Sequence, residues 1–136
     1  MSKSPPRADP TLAPCPCGRP RSTAACCGRW HADPAAAPDA ESLMRARYSA
    51  HVLGRAEVLL ATWAPETRPT RIEPDPPGLR WLGLDVRAHR VLDADHATVE
   101  FVARHRVDGR ATRLHERSRF ERRDGVWLYV DGDRLD

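Results

Sequence analysis

Two hydrophobic periods divide the chain. From residue 40 to 63, Leu43, Met44, Arg47, Tyr48 and Val52 recur at helical spacing, which predicts an amphipathic helix over 40–53. Asp39 is placed as its N-cap, Glu41 falls in the first turn, and Gly54 suits the position after the last turn. A second helix is predicted over 56–63, presenting Val58, Leu59, Leu60 and Trp63, with Pro65 ending it. Residues 68–78 hold Pro69, Pro74, Pro76 and Pro77 and read as loop. After Gly78 the period becomes two. Leu82, Leu84, Val86 and Ala88 alternate on a first strand, with Trp81 on the opposite face. Val99, Phe101, Ala103, His105 and Val107 share one face of a second. Asp108-Gly109 signals a hairpin, and a two-residue loop sets Val107 opposite Arg110 and His105 opposite Thr112. The third strand, 111–122, carries Leu114, Glu116, Ser118 and Phe120 on one face and Arg113, His115, Arg117 and Arg119 on the other. Asp124-Gly125 turns the chain into a fourth strand over 126–131. Helices first and an antiparallel meander after them predict an α+β fold.

The segment before residue 39 has neither period. All four cysteines of the chain lie there as Cys15-x-Cys17-x8-Cys26-Cys27. Four thiolates complete a closed tetrahedral zinc shell, so Cys15, Cys17, Cys26 and Cys27 are expected to hold one structural zinc ion. His31 is the alternate ligand. Disulfides are the competing arrangement, but neighbouring Cys26 and Cys27 do not easily pair with each other, and a redox pair would more typically show Cys-x-x-Cys. Trp30 is expected to plug the small site from below. The boundaries that follow are a disordered, proline-rich arm at 1–14, the zinc knuckle at 15–32, a semi-rigid linker at 33–38 and an α+β domain over 39–136. The knuckle and the domain are expected to have separate cores.

Composition narrows the classes. The 136 residues are 40% hydrophobic and 30% charged with a net charge of +3, too mild for a dedicated nucleic-acid binder, and specific DNA binding is not expected. No apolar run approaches a membrane span, and residues 1–10 lack the apolar core of a signal peptide. With the thiol cluster, this points to a reducing cytoplasm. No nucleotide, flavin or haem motif is present.

Cys15-Pro16-Cys17-Gly18 followed by Cys26-Cys27-Gly28 resembles the SEC-C motif, a small zinc-binding element first recognised at the C-terminus of the SecA translocation ATPase. His31, residues 40–54, Thr62-Trp63, Trp81-Leu82-Gly83-Leu84, His115-Glu116-Arg117-Ser118-Arg119-Phe120 and Trp127-Leu128-Tyr129-Val130-Asp131-Gly132 extend the resemblance to the bacterial YchJ family, in order, from Cys15 to Gly132. Two positions depart from that pattern. Gly18-Arg19-Pro20 stands where Gly-Ser-Gly is usual, and the second SEC-C element of longer members is not found before Asp136. The resemblance implies a central domain of the nuclear transport factor 2-like type, a cone in which two or three helices pack into a curved antiparallel sheet around a pocket. The SecA connection suggests, by analogy, secretion or translation machinery.

Glu116 is the anomaly inside that pocket, a carboxylate on a face of apolar side chains. Tyr48, Trp81, Phe101, Glu116 and Ser118 are the predicted pocket residues, and Glu116 with His105 is the candidate acid–base pair. The simpler role for Glu116 is an ion pair with Arg45 or Arg47 that fastens helix to sheet. On the other face Arg113, His115, Arg117 and Arg119 form a basic stripe, either solvated or docking an acidic protein or ribonucleoprotein; the sheet could also pair two copies of the chain. The preferred reading is a zinc-containing binding or adaptor protein, with the knuckle as contact element and the cone as scaffold or small-ligand pocket. The alternative is an enzyme acting on a small molecule through Glu116 and a histidine.

Overall fold

The computed structural model describes residues 10–136. Most of the predicted arm lies outside the described residues. Its last part is ordered: Pro10–Leu12 forms a 3-10 turn, Pro14 bridges Ser22, and the Thr23 amide donates to the Ala13 carbonyl at 2.9 Å. Helix α1 spans Cys27–Ala32, α2 Ala40–Leu53 and α3 Ala56–Ala61. Strands β1 (Arg80–Asp93), β2 (His96–Val107), β3 (Arg110–Arg123) and β4 (Val126–Arg134) form one antiparallel sheet in sequence order.

Helix α2 has the expected ends. The Asp39 carboxylate accepts from the Ser42 amide at 2.7 Å, and Gly54 adopts a left-handed φ of 70°. Helix α3 stops two residues earlier than its apolar pattern predicts. The Thr62 hydroxyl donates back to the Val58 carbonyl at 2.7 Å, competing with helix continuation. Trp63 then leaves the helix and bridges Tyr129 of β4, with the Tyr129 amide donating to Thr62 O and the Ala64 amide to Tyr129 O, each at 2.8 Å. The helical layer is thereby stitched to the last strand.

Both hairpins turn as their sequences dictate. Asp108 and Asp124 sit at φ 52° and 51°, each followed by a positive-φ glycine, the conformation that matches strand twist across a two-residue loop. Val107 pairs with Arg110 and His105 with Thr112, the register read from the turn. The first strand departs from its simple alternation. Register shifts fall between Trp81 and Gly83, between Val86 and Ala88, and between Val91 and Asp93. The first exchanges the faces assigned from sequence: Trp81 packs on the core, while Leu82 is 47% exposed. Such bulges bend a strand and increase its twist, and here they curl the sheet around α2.

The core is continuous from knuckle to sheet, which corrects the expectation of two. Cys15, Cys17, Cys26, Cys27 and Trp30 belong to the same buried cluster as Ala40, Leu43 and Met44 of α2 and Val99, Phe101 and Phe120 of the sheet. Residues 33–38, expected as a semi-rigid linker, also pack into this core. Pro34–Ala36 makes a 3-10 turn and Ala37 is buried in that cluster. A knuckle this small cannot bury enough apolar surface alone, so it borrows the face of α2.

Candidate functional site

The four thiols converge because a loop and a helix start bring them together. The Cys15 amide donates to Arg21 O at 2.9 Å, closing the loop that carries Cys15 and Cys17. Cys26 caps α1 and Cys27 begins it. All four cysteines are buried, and their sulfurs lie within 4.8 Å of one another. Cys17 Sγ and Cys26 Sγ are 3.6 Å apart. With zinc–sulfur bonds of about 2.3 Å, tetrahedral coordination places sulfurs about 3.8 Å apart, so the tetrad fits one metal ion of that kind. The surroundings suit it too. Cys15 Sγ lies 3.5 Å from the buried Ser49 hydroxyl of α2, and Arg45 Nη1 donates to the Cys17 carbonyl at 2.7 Å. Hydrogen bonding from Cys17 and Cys27 lowers the Cys15 thiol, whereas burial and neighbouring thiolate charge push Cys26 up to about 11. Four thiolates therefore need a cation among them before all can ionise together. His31 stands aside, with Nε2 2.8 Å from the Ala46 carbonyl on α2.

Arg19, Glu41 and Arg45 tie the knuckle to α2 from outside. Arg19 Nη2 and Arg45 Nε lie 3.2 and 3.0 Å from Glu41 Oε2. This gives Arg19 a role within Gly18-Arg19-Pro20, where the sequence departs from the pattern it resembles.

The second site is a cavity of about 470 Å³ between α2, the curved sheet and the proline-rich loop. Tyr48, Trp81, Phe101, Glu116 and Ser118 all line it, as do Arg47, His51, Trp63 and Tyr129. Its volume is within the range of small-ligand pockets, and its wall is mostly apolar and rich in aromatic rings, with Arg71 and Glu73 of the loop also lining it. Glu116 does face inward, where the Ser118 hydroxyl donates to its Oε2 at 2.6 Å. It is not paired with either arginine. Arg45 is committed to the knuckle, and Arg47 Nη1 donates to Leu59 O at 2.9 Å and Thr62 Oγ1 at 2.7 Å. The Arg47 guanidinium lies against Tyr129 and Trp63, 4.3 and 4.9 Å from their ring centres. Burial pushes Arg47 down to about 10, with Tyr129 and Glu116 opposing, so the side chain stays charged at neutral pH. Burial and the Glu116 charge push Tyr129 up to about 12.

His105, the predicted partner of Glu116, is outside the cavity lining. It packs on Trp81 at a ring separation of 5.6 Å, and its Nδ1 is buried without a hydrogen-bond partner among the described residues. The histidine in the lining is His51, from the last turn of α2. The signal was available in the sequence: His51 follows Arg47 by four residues and Tyr48 by three, so all three share a helix face.

Gly132 shapes the acidic wall. A Cβ there would stand 2.6 Å from Glu116 Oε2 and 3.1 Å from the Arg117 carbonyl. Gly132→Ala should therefore turn the Glu116 carboxylate away and break its bond to Ser118, at a stability cost of about 1–2 kcal/mol for the overpacking. A crystal structure of the variant with Glu116 unmoved would contradict this. His51 supplies a pH prediction. Burial, then Arg47, lowers its pKa from 6.5, so the unfolded chain binds the proton first. Stability from the neutral His51 is thus intact above pH 6.5 and is lost as pH falls below it. Denaturant midpoints followed through this window should fall more steeply for the wild type than for His51→Asn.

The basic stripe is mostly neutralised. His115 Nε2 and Nδ1 lie 2.8 and 3.1 Å from Glu100 and Asp136, and Arg119 contacts Asp131 at 2.5 Å and Asp133 at 2.6 Å. Arg117 is 3.7 Å from Glu100. Acids from β2, β4 and the chain end answer the repulsion expected of the stripe.

Comparison with known proteins follows this geometry. The family model described as YchJ, middle NTF2-like domain, matches residues 39–132. A UPF0225 protein of Methylibium petroleiphilum is 63% identical over 120 residues, covering 88% of each chain. One from Bordetella parapertussis is 58% identical over 123 residues, 89% of this chain and 92% of the other. The solution structure of a SEC-C motif containing protein from Rhodopseudomonas palustris superposes with a TM-score of 0.80 at 32% identity, over 91% of this chain and all of that one. A crystal structure of another, from Psychrobacter arcticus, gives 0.75 at 28% identity, over 90% of this chain and 82% of that one.

Proposed function

The chain belongs to the YchJ family, and from that premise we propose that it is a zinc-stabilised small-ligand-binding protein of the cytoplasm. In this reading the NTF2-like cavity is the functional site, and the four cysteines hold a structural zinc ion that buttresses α2. One observation carries it: Glu116 and Arg47 line one aromatic cavity without being paired to each other. A site whose only task was to fasten helix to sheet would join those two charges, because an unpaired charge in a partly dry cavity is costly. The closed donor set of the tetrad favours a structural metal over a catalytic one. Among the described residues no helix is long and apolar enough to cross a membrane.

The test is a small-fragment screen by NMR on zinc-loaded protein, reading the indole N–H signals of Trp63 and Trp81. Both tryptophans line the cavity, and Trp81 Nε1 is 3.1 Å from Asp75 in the proline-rich loop. Fragments that shift both signals together support the reading. A screen in which no fragment moves either signal sinks it. Elemental analysis of the same preparation should give one zinc per chain.

A further inference from the structure

Of the four charged side chains lining the cavity, Arg71 and Glu73 pair with each other, whereas Arg47 and Glu116 have spare hydrogen-bonding capacity of opposite kinds. Arg47 Nη1 is occupied by Leu59 and Thr62, whereas its Nε and Nη2 have no hydrogen-bond partner among the described residues. They are donors. Glu116 Oε2 accepts from Ser118, and Oε1 has no partner among the described residues. It is an acceptor. Each group lies in the other's field without forming an ion pair, since Glu116 acts on Arg47 and on Tyr129, whose ring stacks on the Arg47 guanidinium. Tyr48, Trp81, Phe101, Phe120 and Tyr129 supply aromatic surface around them, while Arg71 and Glu73 of the proline-rich loop line the cavity as an ion pair.

We propose that this cavity takes a net-neutral, flat aromatic molecule with an amide-type edge, its carbonyl oxygen on Arg47 and its N–H on Glu116. The proposal rests on the reading of the cavity as a ligand site. Its reason is charge balance. The rim charges Arg71 and Glu73 already pair with each other at 3.1 Å, and Arg47 and Glu116 balance deeper in, so a carboxylate ligand would satisfy Arg47 but sit in the field of Glu116. An ammonium ligand would satisfy Glu116 but sit in the field of Arg47. Within a partly enclosed cavity such like-charge contacts are screened less than at an open surface. An amide satisfies both groups and adds no charge, and hydrogen bonds to charged partners are the stronger ones. The aromatic walls take the ring by offset or edge-on stacking.

The experiment compares three probes of one skeleton, naphthamide, naphthoate and naphthylmethylamine, titrated by calorimetry into zinc-loaded full-length protein at neutral pH. Naphthamide should bind about tenfold more tightly than either charged analogue, the difference expected from one charged hydrogen bond made or opposed. Glu116→Gln should then tighten naphthoate about tenfold and weaken naphthylmethylamine by a similar factor. Naphthoate or naphthylmethylamine matching the amide would overturn the charge-balance inference while leaving the cavity a ligand site. Failure of all three probes to bind folded, zinc-loaded protein would overturn the inference, and a fragment screen equally silent at Trp63 and Trp81 would remove the ligand site with it.

Discussion

Cys17→Ser is expected to destabilise the entire chain, lowering a single thermal transition by about 10–20 °C, and not to melt the knuckle alone. The reasoning starts from the continuous core, in which Cys17 and Cys26 are fully buried beside Trp30, Ala40 and Leu43. Structural zinc contributes about 10–16 kcal/mol to the folding of small finger peptides, comparable to the whole stability of about 5–15 kcal/mol of an ordinary domain. Losing one of four thiolates forfeits only part of that, and a loss of about 3–5 kcal/mol at this chain length gives the stated shift. Because α2 rests on the knuckle through Ser49, Arg45 and Ala46, its loosening removes support from the helix that also walls the cavity. Chelation of the wild type should reproduce the effect. Calorimetry showing an undisturbed main transition with a separate small one would mean that knuckle and cone fold independently after all.

Arg47→Ala should cost about 3–5 kcal/mol, at the high end for a single substitution. It removes the hydrogen bonds to Leu59 O and Thr62 Oγ1, the stacking on Tyr129 and Trp63, and the cation opposite Glu116. Leaving a buried carbonyl short of its donor accounts for about 1–3 kcal/mol, and a desolvated cation–π contact for about 2 more. Arg47→Met keeps most of the stem volume and should recover the packing part only, falling between wild type and alanine. Urea midpoints would decide it: an alanine variant within about 0.5 kcal/mol of wild type would show that Arg47 is incidental to the fold.

These two positions also show where sequence reasoning reached and where it stopped. Asp39, Gly54, Asp108-Gly109 and Asp124-Gly125 act locally, through a side chain bonding its own helix or a backbone angle that few residues adopt. Their effects are encoded within a few residues, and so the ends of α2 and the register of β2 on β3 were legible. The inward aim of Glu116 was legible for the same reason, since alternation fixes which face a strand residue takes. The exchanged faces of Trp81 and Leu82 were not. A bulge depends on the partner strand's needs, and alternation cannot register one extra residue.

The choice of histidine and the freedom of Glu116 were likewise decided in three dimensions. His105 has the right strand face but packs behind Trp81, and His51 reaches the cavity only because α2 lies across the curl of the sheet. Arg47 was a candidate partner of Glu116, yet the end of α3 captured it first, offering two oxygens at hydrogen-bond distance. The sequence by itself determined the clustering of the four cysteines, the order of helices and strands, the hairpins and the membership of the family, because these rest on residue type, spacing and short-range conformational preference. Only the tertiary structure decided that knuckle and cone share one core, that the basic stripe is answered by acids from other strands, and that a cation and an anion face one cavity unpaired. Those outcomes depend on competition among distant partners for the same side chain, which no local pattern records.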